Sequence, residues 1–209
     1  MLERYYEIVK INWKHNLFSH FLIGLLLCVA APFLMGVNNL EEPQVAKIIE
    51  FYLGFLGVIL LIPLFIPDTN KDIRDLIASK KTPITGVRIA RILEALVCLS
   101  VILLVFLYSL KLGDCEFRYG TCFFVAMANS VFMGGIGLLI YSVIDNVALA
   151  YMIPILYFIV SMGSGKKYLG KFCLFGFSQG SSIGEKCYLL AAGVVMIAAA
   201  LLIRKVRRR

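Results

Sequence analysis

Charge is what this sequence has least of. Asp, Glu, Lys and Arg make up 16% of its 209 residues, against about 25% in an average soluble protein. Hydrophobic residues reach 60% and mean hydropathy is +0.87. A water-soluble domain of this size cannot hide so much apolar surface, so the class is a polytopic membrane protein. Histidine is also scarce. His15 and His20 lie at the inner boundary of the first apolar run, and polar interface residues explain them better than a metal site, so no metal is expected. No Gly-x-x-x-x-Gly-Lys-Ser/Thr loop is present, and "GSGKKYLGK" from Gly163 lacks the spacing. The chain is therefore not expected to be an enzyme, and no catalytic residue or resident cofactor is assigned to it. With no Gly/Ser linker and no internal repeat, it reads as one domain over residues 1–209.

What is present is apolar sequence in long runs. Six stretches, Leu17–Gly36, Ile48–Pro67, Ile92–Leu110, Tyr119–Ser142, Val147–Met162 and Tyr188–Ile203, approach the ~20 residues that cross a bilayer as a helix. The expected fold is all-α with six transmembrane helices. The first run is longer than the core of a signal peptide and is read as a retained span. Pro154, in the short fifth run, is expected to face protein rather than lipid. The net charge of +8 would suggest nucleic acid in a soluble chain; here the cations flank apolar runs, so topology accounts for them and no nucleic acid is expected. Fourteen lysines and arginines fall on the side of both termini and seven on the other, the full 21. The positive-inside rule then places both termini in the cytoplasm. Leu2, Tyr5, Tyr6, Val9 and Trp13 recur at helical spacing with charges between them, which predicts an amphipathic N-terminal helix at the inner interface in contact with lipid.

The spans are expected to be poor in deep charge. No pair of acids falls in mid-span; Glu94 sits three residues after Arg91 near the start of span three, and Asp145-Asn146 makes a turn. This argues against an ion-coupled carrier. Gly134, Gly135 and Gly137 permit close helix approach. Asn129 and Ser130 either line a pathway or bond to a neighbouring helix.

The longest polar stretch is "KDIRDLIASKKTPITGVRIAR", Lys71 to Arg91. Thr69 to Asp72 fits a capping box. Ile73, Leu76 and Ile77 then form a narrow apolar stripe, with Lys71, Arg74, Lys80 and Lys81 around it. Thr82-Pro83 ends this helix and starts the next, which carries Arg88 and Arg91 into span three. A solvated or headgroup-binding loop needs neither two caps nor the proline break, so the piece reads as a docking element for a cytoplasmic partner.

"DLIASKKTPITGVRIARILEALV" resembles the segment between the second and third spans of type-two ABC transporter permeases, where an apolar helix, Ser-Lys-Pro or similar, and a basic helix follow one another. Leu76-Ile77-Ala78-Ser79-Lys80 carries the match, with Pro83 displaced by Lys81 and Thr82. The layout agrees along the chain: an amphipathic N-terminal helix, six spans, and a long apolar outer segment before the last. The resemblance implies a coupling helix seated in a groove of a cytoplasmic ABC ATPase, present in two copies, with Ile73, Leu76 and Ile77 buried and Lys71, Arg74, Lys80 and Lys81 at the rim. Pro83, Arg88, Arg91 and Glu94 would link it to span three. A second permease chain, identical or similar, would complete the complex. ATP and Mg would belong to the ATPase. The implied function is the membrane subunit of an ATP-driven exporter in a bacterial cell membrane, with an amphipathic or lipophilic cargo such as a small peptide. In that family the segment "GSGKKYLGKFCLFGFSQGSSIGEKC" closes the outer end of the path, which would make Tyr168, Phe172, Phe175 and Phe177 gate residues, together with Leu169; a membrane-hugging loop anchored by aromatics is the alternative. Cys115, Cys122, Cys173 and Cys187 lie on the outer side; three disulfide pairings of the four are open, as are free thiols. The rival functions are a non-transporting scaffold or sensor, and a passive channel or secondary carrier.

Overall fold

In the computed structural model the described residues are 2–36, 39–67 and 84–206, without the side chains of residues 2–6, 33, 35, 164 and 166. Lys71, Ile73, Arg74, Leu76, Ile77, Lys80 and Lys81, expected to dock an ATPase, and Pro83 lie outside the described residues.

The described residues are helical and contain no strand. Helix α1, Leu2–Asn12, continues through a π-helical turn, Trp13–Leu17, into α2, Phe18–Met35. Asn12 and Leu17 keep helical dihedrals, so the amphipathic stretch is joined to the first span without a break. The second span is built of α3 (Glu42–Ile48), a π-helical turn (Ile49–Leu53), α4 (Gly54–Leu61) and a 3₁₀ turn (Ile62–Phe65). Then come α5 (Ile84–Leu112), α6 (Tyr119–Ile144), α7 (Val147–Leu169) and α8 (Ile183–Val206).

Among the described residues, five helical stretches are long and apolar enough to cross a membrane: Glu7–Pro32, Glu42–Phe65, Ile84–Leu112, Tyr119–Ile144 and Ile183–Val206. The fifth expected span, Val147–Met162, differs. The apolar part of α7 is Val147–Gly163. At 1.5 Å per residue it measures about 25 Å, short of the ~30 Å hydrocarbon core. Its helical dihedrals fail at Gly165, where φ is 54° and ψ is −153°.

Helix α6 is the axis of the bundle, and glycines decide that. A Cβ on Gly57 would fall on the carbonyl of Ser130, and one on Gly134 would strike Leu61 and lie 2.6 Å from the carbonyl oxygen of Gly57. On the opposite side, a Cβ on Gly135 would lie 2.8 Å from the carbonyl oxygen of Gly193. The backbones of α4, α6 and α8 therefore approach as closely as only small residues permit, as the three glycines of α6 led one to expect. Leu53, Leu56, Leu60, Leu61, Leu64 and Phe65 are fully buried against this axis. Outward-facing side chains are apolar: Leu26, Val97 and Val195 are each at least 60% exposed. Valine outside and ion pairs inside is the arrangement a bilayer favours, because lipid tails accept valine and refuse charge.

Contacts define two ends of the bundle. At one, Asn12 Nδ2 donates to Glu94 Oε2 (2.7 Å). At the same end Arg204 pairs with Asp145 (2.7 Å) and lies 5.1 Å from the centroid of Phe65. The start of the chain and the end of α8 thus share one end. Asp145 turns the chain with φ 55°, and Asn146 Oδ1 accepts from Ala148 N at 2.9 Å to start α7. The expected Asp-Asn turn is the one observed. Helix α7 then runs back along α6 to the opposite end, where Tyr157 and Ser161 meet the segment that follows it.

Candidate functional site

The densest polar structure lies at that opposite end, between helices. Glu50 and Lys186 form an ion pair at 2.7 Å with side chains 0% and 1% exposed. Glu50 sits in the π-helical turn of span two, Lys186 in the first turn of α8. Lys186 Nζ also donates to Asn129 Oδ1 (3.1 Å) and to the carbonyl oxygen of Leu174 (2.6 Å). Asn129 Nδ2 donates to that same carbonyl at 3.2 Å. Glu50 accepts the backbone N–H of Phe177 on Oε1 (2.9 Å) and of Ser178 on Oε2 (3.0 Å). Ser161 Oγ accepts from Leu174 N at 2.9 Å.

Each polar group here has a reason. A buried carboxylate persists only if countered by charge and hydrogen bonds, and both oxygens of Glu50 are occupied. Residues 173–178 run as turns over the bundle end. Irregular backbone that is buried needs internal partners for its N–H and C=O groups. Glu50, Lys186, Asn129 and Ser161, from four different helices, supply them. The π-helical turn offers a further partner: the carbonyl oxygen of Leu53 accepts from Ser130 Oγ at 2.6 Å. π-Helical turns leave the regular bonding ladder and recur at functional sites. Of the two readings of Asn129 and Ser130, the structure has the bond to neighbouring elements.

This pair corrects the expectation of a bundle without deep paired charge. Lys186 counts among the outer-loop cations in the sequence, yet it points into the core. The signal was present: Glu50 stands alone in the apolar run "IIEFYL", and an acid inside a span needs a partner.

The four aromatics expected as gate residues differ in burial. Phe175 is 9% exposed and belongs to a cluster with Phe51, Phe55 and Phe158. The Phe158–Phe175 and Phe55–Phe158 centroids are 5.1 and 4.4 Å apart. Phe177 packs on the core and starts a 3₁₀ turn, Phe177–Gln179. Tyr168 is 76% exposed and Phe172 45%. Tyr168 lies under Lys167, its ring 5.8 Å from Nζ, as an interfacial anchor does. Phe175 and Phe177 thus pack inward, and Tyr168 and Phe172 are exposed. Leu169 packs against the core.

Cys115, Cys122 and Cys173 are buried and Cys187 is exposed, and none of the four forms a disulfide in the structure. Cys173 lies beside Ser161, Sγ to Oγ 3.6 Å.

At the other end, the residues expected to lead into span three are described from Ile84 onward. Arg88 is 1% exposed, and its guanidinium carbon lies 5.8 Å from the Phe65 centroid. Arg204 approaches the same ring at 5.1 Å and the Tyr141 ring at 4.7 Å. Arg91 is 8% exposed. Glu94, expected beside Arg91, takes its hydrogen bond from Asn12. Phe65 and Arg88 lie on either side of residues 68–83 in the sequence, and they meet. No group of His, Cys, Asp and Glu among the described residues could hold a metal ion.

Comparison of the chain with protein-family models, with curated proteins and with solved structures returned no match, so the described geometry and the sequence carry the functional reading between them.

Proposed function

We propose that this chain is the membrane-spanning subunit of an ATP-driven exporter of the type-two ABC permease kind. In this reading α7 counts as the fifth of six spans, both termini are cytoplasmic, and residues 71–81 form the coupling helix. A separate cytoplasmic ATPase, in two copies, binds ATP and Mg. A second permease chain, identical or similar, completes the path in a bacterial cell membrane. The cargo is amphipathic or lipophilic, a small peptide in the first instance.

The observation that carries the reading is the contact between the two flanks of the docking segment. Phe65 ends span two and Arg88 lies near the start of span three, and the Phe65 ring is approached both by Arg88 and by Arg204 of the last helix. A push delivered between Phe65 and Arg88 therefore reaches three helices at once, because a packed bundle transmits displacement rather than absorbing it. The closed outer segment gives that motion something to open.

The test is affinity capture of the chain from its native membrane in gentle detergent, beside Ile73→Asp/Leu76→Asp. An ATPase that comes down with the wild type and is lost from the variant supports the reading. A folded, dimeric chain that captures no ATPase refutes it. The Glu50–Lys186 pair favours a second reading, a secondary carrier, since ionisable groups inside a span mark ion pathways. That reading predicts transport in vesicles driven by an ion gradient without ATP.

A further inference from the structure

We propose that residues 173–178 form a hinged lid and that the Glu50–Lys186 pair is its latch. The inference takes the exporter reading for its purpose, as the exit gate of the path, but stands on separate geometry. The lid has no bonding ladder of its own to the helices below. Its attachment is by side chains: Ser161 to Leu174 N, Lys186 and Asn129 to Leu174 O, and Glu50 to the N–H groups of Phe177 and Ser178. Such contacts break and reform as a unit, giving two discrete arrangements rather than a continuous flexing.

Hinges flank the lid. Gly170 has φ 52° and Gly180 φ 82°, values that glycine adopts without the cost other residues meet. Under the lid lies a box of Phe51, Phe55 and Phe158, and Phe175 fills it from the lid itself. Lifting the lid withdraws Phe175 and leaves an aromatic site open to the outer face. An aromatic or alkyl group of an amphipathic cargo matches that site in size and polarity. The latch keeps it filled at rest. Glu50 is the stronger half, because it holds the lid backbone directly through both oxygens as well as through Lys186.

Cys173 reports the lid position, since it lies in the lid and is 3% exposed. The experiment uses the full chain with Cys187→Ser, in cells, labelled from outside with a membrane-impermeant maleimide and read by peptide mass spectrometry. With the latch intact, Cys173 reacts slowly. Glu50→Gln and Lys186→Met are each expected to raise its rate at least ten-fold. Cys115, 2% exposed and outside the latch, is expected to stay slow.

Unchanged labelling of Cys173 in either latch variant overturns the proposal. So does an equal rise at Cys115, which marks general loosening. A rise confined to Cys173 in a chain that captures no ATPase keeps the lid and rejects the exporter.

Discussion

Replacing Lys186 with methionine removes a charge while keeping most of the volume, so the cavity term is small. The electrostatic loss is large. Glu50, 0% exposed, loses a cation at 2.7 Å, and Asn129 Oδ1 loses its donor. The carbonyl of Leu174 keeps the bond from Asn129 Nδ2. Breaking a buried pair from one side costs about 3–5 kcal/mol. The two N–H bonds that Glu50 retains place the expected loss at the lower end, about 3 kcal/mol. That is a shift of more than about a hundred-fold in the folded-to-unfolded ratio. Glu50→Gln strands the ammonium in the same way. The double variant Glu50→Gln/Lys186→Met strands neither charge and is expected to be more stable than Lys186→Met alone. The coupling energy of the cycle is then about 2–3 kcal/mol. Equilibrium unfolding of the four proteins in mixed micelles, titrated with sodium dodecyl sulfate, measures it. Losses that add within about 0.5 kcal/mol would show that the two charges do not interact, and the reasoning about the site would fail.

Other expectations follow from single contacts. Gly193→Ala places a Cβ 2.8 Å from the backbone N and Cα of Phe132, forcing α6 and α8 apart at a cost of about 1–3 kcal/mol. Gly184→Ala, whose nearest neighbour is Ser182 Oγ at 3.7 Å, is expected to unfold at the wild-type midpoint in the same titration. Ser130→Ala removes the 2.6 Å bond to the Leu53 carbonyl and is expected to cost about 0.6–1.7 kcal/mol, the range for hydrogen bonds between membrane helices. A larger loss would mean that the π-helical turn itself collapses, visible as altered amide exchange over Ile49–Leu53.

Much of the fold was legible residue by residue. Apolar runs of bilayer length announced the long helices, because a backbone in lipid must satisfy itself and a helix does so locally. Asp145-Asn146 gave a turn for the same reason: its cap is made within three residues. The glycines of α6 marked a close approach, though not the partners, α4 and α8. Lys186 misled, since a lysine after a loop reads as solvated and nothing local says that it faces Glu50, 136 positions earlier. The aromatic segment misled in part, because alternating Phe and Gly fixes no direction for any ring. Tyr168 and Phe175 look alike in sequence and face opposite ways.

The sequence by itself determined what depends on neighbours along the chain: the helical class, the membrane character, the turns and the apolar period. Only the tertiary structure decided what depends on distant groups meeting. It made α6 the axis, turned Glu50 and Lys186 into a buried pair, buried Phe175 while exposing Tyr168, and stacked Arg88 and Arg204 on Phe65. The physical reason is burial. A charge or a ring takes its role from the groups that replace water around it, and those groups come from helices far apart in sequence.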